Sequence, residues 1–278
     1  MLLKATEEGE NVPTEAYYNF PKDTPVIIGD INKKRNVLLT GHTGVGKTSM
    51  VFQMAARTNN SIQRVNLNGQ TTISEFVGFW TVKGGETVWV DGTLPHAMRT
   101  GQWLVLDEID FAEPAILAIM NSVLEKNGTL MLKEKGHETV KPHENFRIFA
   151  TANSVGSMSN FRGLYQGTNI MNEAFLDRWQ VYHIGYLKPE EEAKVLTNTV
   201  DRMTDKVAKI IVRVGGMIRE SFEKEEIACT FSLRRMLDWG TKMVELKDHM
   251  KAAESTVLNK ISPEDAEVVR GIITRVMN

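Results

Sequence analysis

The residues Gly41-His42-Thr43-Gly44-Val45-Gly46-Lys47-Thr48-Ser49 have the types and spacing needed to hold phosphate. Gly41, Gly46, Lys47 and Thr48 complete the pattern G-x-x-x-x-G-K-[ST]. Glycines let successive backbone N–H groups turn toward one set of phosphate oxygens. Lys47 adds a point charge for the outer phosphates, and the Thr48 hydroxyl can ligate Mg²⁺. Four such fixed positions arise by composition in roughly one chain of this length in a hundred. A second candidate group is Asp107-Glu108, at the end of the apolar run Trp103-Leu104-Val105-Leu106. Asp107 is placed to hold the metal, and Glu108 to polarise an attacking water as general base. A third is Asn153, which ends Phe146-Arg147-Ile148-Phe149-Ala150-Thr151-Ala152 and can hydrogen-bond a γ-phosphate or the water.

These groups need strands to carry them and a helix to receive the phosphates. Val37-Leu38-Leu39 predicts a strand into the glycine loop, and Met50–Ala56 a helix out of it, whose first turn adds donors and dipole. Ile62–Leu67 alternates as a second strand. Continuous apolar runs at 103–106 and 146–152 predict buried parallel strands, which bind ligands at their carboxyl ends. If those two strands are neighbours, Asn153 falls beside Asp107. Val181–Ile184 reads as a short last strand.

Two insertions interrupt this plan. Phe79–Val82 and Thr87–Val90 around Lys83-Gly84-Gly85-Glu86 predict a β-hairpin. Thr129–Leu132 and Glu138–Val140 around Lys133–His137 predict another. Pro114–Glu125 reads as a helix with Ile116, Ile119, Met120, Val123 and Leu124 on one face. Ser154–Thr168 is polar and Gly-rich and reads as a loop. From Lys188-Pro189-Glu190 the pattern becomes helical: Ala193–Val200, Val207–Phe222, Leu233–Leu246 with Ser232 as N-cap, and a last helix from Pro263 after the capping-box-like Ser262-Pro263-Glu264-Asp265. The division is an irregular lead-in over 1–25, an α/β nucleotide-binding domain over 26–187 and a small all-α lid over 188–278.

Bulk properties narrow the class. The chain has 278 residues, with 33 Lys and Arg against 35 Asp and Glu, a formal net charge of -2. That balance disfavours a dedicated nucleic-acid surface. One cysteine, Cys229, excludes an internal disulfide and fits a reducing cytosol. Residues 1–10 lack an apolar core of signal-peptide length, and no apolar run approaches a membrane span. A soluble cytoplasmic protein is expected. His96, His137 and His143 lack metal-ligand spacing.

The order of glycine loop, paired acids, Asn strand, Arg-bearing helix end at Leu176-Asp177-Arg178-Trp179 and helical lid resembles an AAA+ ATPase. The hairpins resemble the helix-2 and pre-sensor-1 inserts of the MoxR and chelatase branch. Arg64-Val65-Asn66-Leu67, Asp91–Pro95, Phe146–Gly156 and Gly163–Thr168 resemble the CobS-type ATPase subunits of aerobic cobalt chelatases. The likeness spans about residues 20–245.

The resemblance implies a P-loop parallel-sheet sandwich, ATP and Mg²⁺ as cofactors, and ATP hydrolysis. It gives Asn153 the sensor-1 place and Arg178 the arginine-finger place, reaching a neighbour's nucleotide. Without the resemblance, a surface ion pair is the ordinary reading of Arg178. In Ser232-Leu233-Arg234-Arg235 it gives Arg234 the sensor-2 place. Leu233 stands where the family has Pro, and Arg235 competes for the role. It further implies a homo-oligomer, a hexameric ring or related helical assembly, a separate partner with a von Willebrand A-like domain, and a protein client. Chelatase-like metal insertion is a special case. The alternative function is a nucleic-acid-dependent motor or loader gripping through Lys133, Lys135 and Lys141.

Overall fold

The computed structural model describes residues 11–153, 169 and 171–277. Met1–Glu10, the loop expected over Ser154–Thr168 and Ile170 lie outside them. Contacts divide the chain into two units. One holds Phe20–Gly41 and Lys47–Ile184; the other holds the chain from Gly185 together with Tyr17–Asn19 and the loop tip His42–Gly46.

The first unit is built on a parallel sheet. Helix α1 (Thr24–Asn32) leads in, with Pro25 in its first turn, where its missing N–H costs nothing. It begins inside the stretch expected to be irregular. Strand β1 (Val37–Thr40) follows, then α2 (Lys47–Arg57), β2 (Ile62–Asn66), α3 (Ile73–Val77), the hairpin β3 (Gly78–Lys83) and β4 (Glu86–Asp91), and α4 (Thr93–Thr100). Next come β5 (Trp103–Asp107), α5 (Pro114–Leu124), the hairpin β6 (Leu130–Leu132) and β7 (Glu138–Val140), β8 (Arg147–Ala152), α6 (Glu173–Leu176) and β9 (Gln180–His183). The sheet order is β2-β5-β8-β1-β9, with every pairing parallel. Every residue of β1 and β5 is buried, as their unbroken apolar runs require. β5 and β8 are neighbours, with Leu106 opposite Ala150, so Asp107 and Asn153 emerge at the same end of the sheet.

Both hairpins are present. β3–β4 sits between α3 and α4 in sequence and splits one helical connection into two. The hairpin leaves each of those helices less than three turns. Trp80 and Trp89 pair across the strands with ring centres 5.5 Å apart. The Trp80 indole N–H donates to the Glu134 carbonyl in the second hairpin's turn (2.9 Å). Arg99 joins the same two inserts by ion pairs to Asp91 and Glu138.

The second unit is all helical beyond Gly185: α7 (Pro189–Thr199), α8 (Asp205–Glu223), α9 (Leu233–Leu246), α10 (His249–Thr256) and α11 (Pro263–Met277). Its core gathers Leu196, Ile211, Val214, Ile218, Phe231, Met236 and Trp239, all buried. Ser232 caps α9 by accepting the Arg235 N–H at 3.3 Å, a contact contributing about 1 kcal/mol. At α11 the box is half formed. The Ser262 hydroxyl accepts the Asp265 N–H (3.1 Å), but the Asp265 carboxylate turns to the Ala228 N–H instead of returning to residue 262. Asp265 is buried, and tertiary packing has claimed its oxygens.

Candidate active site

The glycine loop leaves β1 at Gly41 and enters α2 at Lys47. Gly41, Gly44 and Gly46 all have positive φ, at 143°, 73° and 97°. A Cβ on Gly41 would lie 2.1 Å from the Ile184 carbonyl oxygen, and one on Gly44 2.6 Å from the Ser232 hydroxyl. Only glycine fits either place, on grounds of both φ and space. The spacing predicts a phosphate cradle at these turns.

Lys47 is buried, which is costly for an ammonium without partners. Its Nζ donates to the Gly41 carbonyl (2.6 Å) and to Oδ1 of Asn153 (3.0 Å). Asn153 is held in turn, because its N–H donates to the fully buried Asp110 (3.0 Å). The charge at the loop's exit and the amide at the end of β8 therefore share one point, although 106 residues separate them.

Asp107 lies beside this pair's strand end. Its Oδ1 accepts the Thr48 hydroxyl (2.8 Å) and the Thr151 hydroxyl; its Oδ2 accepts Arg64 through Nε (3.0 Å) and Nη2. Burial opposes ionisation of Asp107, but donation from Thr151, Thr48 and Arg64 outweighs it, and the carboxyl sits below its ordinary range. Glu108 follows with φ 58° and ψ 45°, a left-handed backbone that a glutamate adopts at a cost of about 1–3 kcal/mol. Its N–H donates to the Thr151 hydroxyl (3.2 Å). Thr151 thus links both acids. The kink at Glu108 turns the chain out of β5, so that two adjacent acids do not follow one strand direction.

A phosphate and a divalent ion both suit this donor set. The cradle carries loop N–H groups and a buried ammonium. Thr48 and Asp107 offer hard oxygen donors within hydrogen-bond distance of each other, as Mg²⁺ prefers when phosphates and water complete its shell. Among the described residues no group of three His, Cys, Asp or Glu gathers as a metal site.

In the helical unit, His42 stacks on Tyr186 at 5.6 Å. Tyr186 lies under the Arg219 guanidinium at 3.7 Å. Arg234 has its Cβ 3.4 Å from where a Gly44 Cβ would stand, whereas Arg235 donates to the Thr230 carbonyl (3.0 Å). Val45 is buried, and Thr43 and Ser49 are exposed. Arg178 stands apart from the site. Its guanidinium pairs with Glu125 and reaches the Ala174 carbonyl, at the opposite end of the sheet from Lys47.

Residues 36–178 match the family described as AAA domain (dynein-related subfamily), and residues 192–277 match CbbQ/NirQ/NorQ C-terminal. The chain belongs to the AAA domain family. Among its relatives, the aerobic cobaltochelatase subunit CobS of Sinorhizobium sp is 34% identical over 254 residues, 87% of this chain and 76% of that protein. Midasin of Dictyostelium discoideum is 34% identical over 167 residues, 60% of this chain and 3% of midasin. An uncharacterised protein of Staphylococcus haemolyticus is 28% identical over 239 residues, 84% of this chain and 87% of that protein. The AAA domain thus carries the MoxR-branch resemblance, and membership implies a nucleotide-binding ATPase. No described helix is long and apolar enough to cross a membrane.

Arg64 and Thr151 also reach Asp107, and no motif marks either of them. Arg64 is a single basic residue on the alternating strand β2, a pattern that by itself implies no role. Thr151 lay two positions before Asn153 in an apolar strand. Only the adjacency of β5 to both β2 and β8 brings them to Asp107.

Proposed function

We propose that this AAA chain binds ATP with Mg²⁺ and hydrolyses it as one subunit of a homo-oligomer, a hexameric ring or related helical assembly, to remodel a protein client. The observation that carries this reading is the joint convergence of Lys47 on Asn153 and of Thr48 on Asp107. Residues 41–49 cradle the phosphates. Thr48 and Asp107 hold the Mg²⁺, which when bound neutralises the charge on the outer phosphates. Glu108 accepts the proton of the attacking water, and Asn153 orients that water or the terminal phosphate. Arg234, rather than Arg235, acts as the second sensor, since Arg235 is committed to Thr230. The domain division is 26–187 for the nucleotide-binding part and 188–278 for the lid.

Arg178 completes a neighbour's site. It lies too far along the sheet to serve the Lys47 of its own chain, and a finger supplied in trans contributes about 10³–10⁵ in rate. The joined hairpins pass the stroke to the client. By analogy with the relative named a cobaltochelatase subunit, metal insertion through a separate partner, one with a von Willebrand A-like domain, is a special case of this remodelling. For the nucleic-acid alternative, Lys135 is already paired with Glu138, which weakens the cationic grip proposed for that hairpin.

The test is complementation. Arg178→Ala should bind nucleotide and lose turnover, Lys47→Ala should lose binding, and a mixture of the two should regain activity. Unimpaired turnover by Arg178→Ala alone would remove the trans reading.

A further inference from the structure

A cleft of about 960 Å³ opens in the α/β unit where β1, β8 and β9 begin and α5 ends. It is lined by seven Lys and Arg side chains against the two carboxylates of Glu125 and Asp177. In a chain of net charge -2, this is a marked local excess of cation. Some of that charge is already engaged. Arg35 pairs with Asp30, and Arg147 donates to the carbonyls of Ile31, Glu144 and Phe146. Lys33, Lys34, Lys126 and Lys141 are exposed, and none has a carboxylate within ion-pair distance among the described residues. Arg178 lies in the same cleft, half-buried. Its backbone is fixed because the Asn36 amide donates to both the Arg178 and Leu124 carbonyls, at 3.0 and 2.9 Å.

The position decides what anion can reach it. Lys47, Asp107 and Asn153 stand at the carboxyl ends of the strands, whereas this cleft is at the amino ends. β8 alone has six residues, a span of about 20 Å. Phosphates held by the chain's own loop therefore cannot enter. The volume falls in the range of sites that hold small ligands, and a concave basic wall focuses its field on an anion.

We infer that this cleft receives the nucleotide phosphates bound by a neighbouring copy of the chain, with Lys33, Lys34 and Lys126 acting beside Arg178. The inference rests on the trans reading of Arg178 and adds to it. Any phosphate that Arg178 reaches must enter the cleft that these lysines line. The lysines attract the phosphates, and the planar guanidinium, released from Glu125, meets them in bidentate geometry.

The test uses the full chain with Lys33, Lys34 and Lys126 all changed to Ala, and again with all three changed to Arg. Binding of a fluorescent nucleotide to dilute chain, turnover against ATP concentration, and the salt dependence of turnover are measured. The alanine variant should keep dilute-chain binding within about twofold. Its KM for ATP should rise roughly tenfold with a shallower salt slope, and the arginine variant should restore both. Unchanged KM and salt slope, with Arg178→Ala inactive, would overturn the lysine role and leave the finger standing. Arg178→Ala with full turnover would overturn both readings. Competition by polyglutamate in the parent but not in the alanine variant, at unchanged KM, would make the cleft an acidic-peptide site and overturn the inference. Loss of nucleotide binding by dilute alanine variant would place the lysines in their own chain's site, also against it.

Discussion

Arg64 and Asp107 form an ion pair in which one guanidinium grips a single carboxylate oxygen through two nitrogens. The partners are 52% and 8% exposed. The pair joins β2, the edge strand that leads to the first hairpin, to the acid expected to hold Mg²⁺. With half of the guanidinium in water, it contributes only about 1 kcal/mol to stability. Its effect on the site is larger, since Oδ2 has no other donor among the described residues. Arg64→Ala removes the donors that fix Oδ2, so the carboxylate is free to turn away from Thr48. The Mg²⁺ concentration for half-maximal turnover should rise several-fold, and Mg²⁺-promoted nucleotide binding should shift in parallel. Coincident Mg²⁺ curves for parent and variant would show that Thr48 and Thr151 hold Asp107 sufficiently.

Glu108→Gln keeps the size and the left-handed backbone of its residue but removes the proposed base. It should bind ATP as the parent does and lose at least about a hundredfold in turnover. Single-turnover hydrolysis of bound ATP checks this, and a rate equal to the parent's would take Glu108 out of the mechanism.

Gly41→Ala places a methyl group 2.1 Å from the Ile184 carbonyl at φ 143°. The loop cannot move without breaking the β1–β9 pairing next to it, so the expected loss is about 3 kcal/mol or more. Denaturant unfolding measures it, and a midpoint equal to the parent's would mean that the loop rearranges freely.

Glu192 is buried in the helical unit against the partly buried Arg219, with nitrogen to oxygen distances of 2.8 and 3.1 Å. Burial raises the Glu192 carboxyl above its ordinary range, and the attraction of Arg219 only partly offsets this. The folded chain therefore holds this proton more tightly than the unfolded chain. The contribution of Glu192 to stability is greatest below the ordinary carboxylate range and falls as pH rises through the raised value. Glu192→Gln should remove that part of the pH slope, while leaving the Arg219 charge without its counter-ion. Unfolding free energies of parent and variant from pH 4 to 8 check it; parallel profiles would contradict the assignment.

Trp80→Phe removes the indole bond to Glu134 and keeps the ring. Trp80 is half exposed, so the stability change should stay near 1 kcal/mol or below. Trypsin cleavage at Lys133 and Lys135 should nevertheless become faster, because the second hairpin's turn loses its tie to the first. Equal cleavage rates would mean that Arg99 alone joins the inserts.

Much of the molecule was legible in the chain because the signals are local. A glycine-rich turn, a run of apolar residues ending in Asp107-Glu108, and alternation around a tight turn at 83–86 each depend on a few adjacent residues. So do the strands, both hairpins and the helical stretch after Lys188. The short helices α1 and α10 are not marked in the sequence, since each carries too few turns for its periodicity to stand out from its flanks.

What the sequence determined, then, was the set of chemical groups and the strands that carry them. Tertiary structure decided which of those groups meet. The order β2-β5-β8-β1-β9 puts β5 between β2 and β8, so Arg64 and Thr151 both reach Asp107, though neither is near it in sequence. The same parallel order sends Lys47 and Asn153 to one end of the sheet and Arg178 to the other. Strand polarity is a property of the whole sheet. No single stretch of residues encodes it, and it is the physical reason that Arg178 is directed away from its own chain's Lys47.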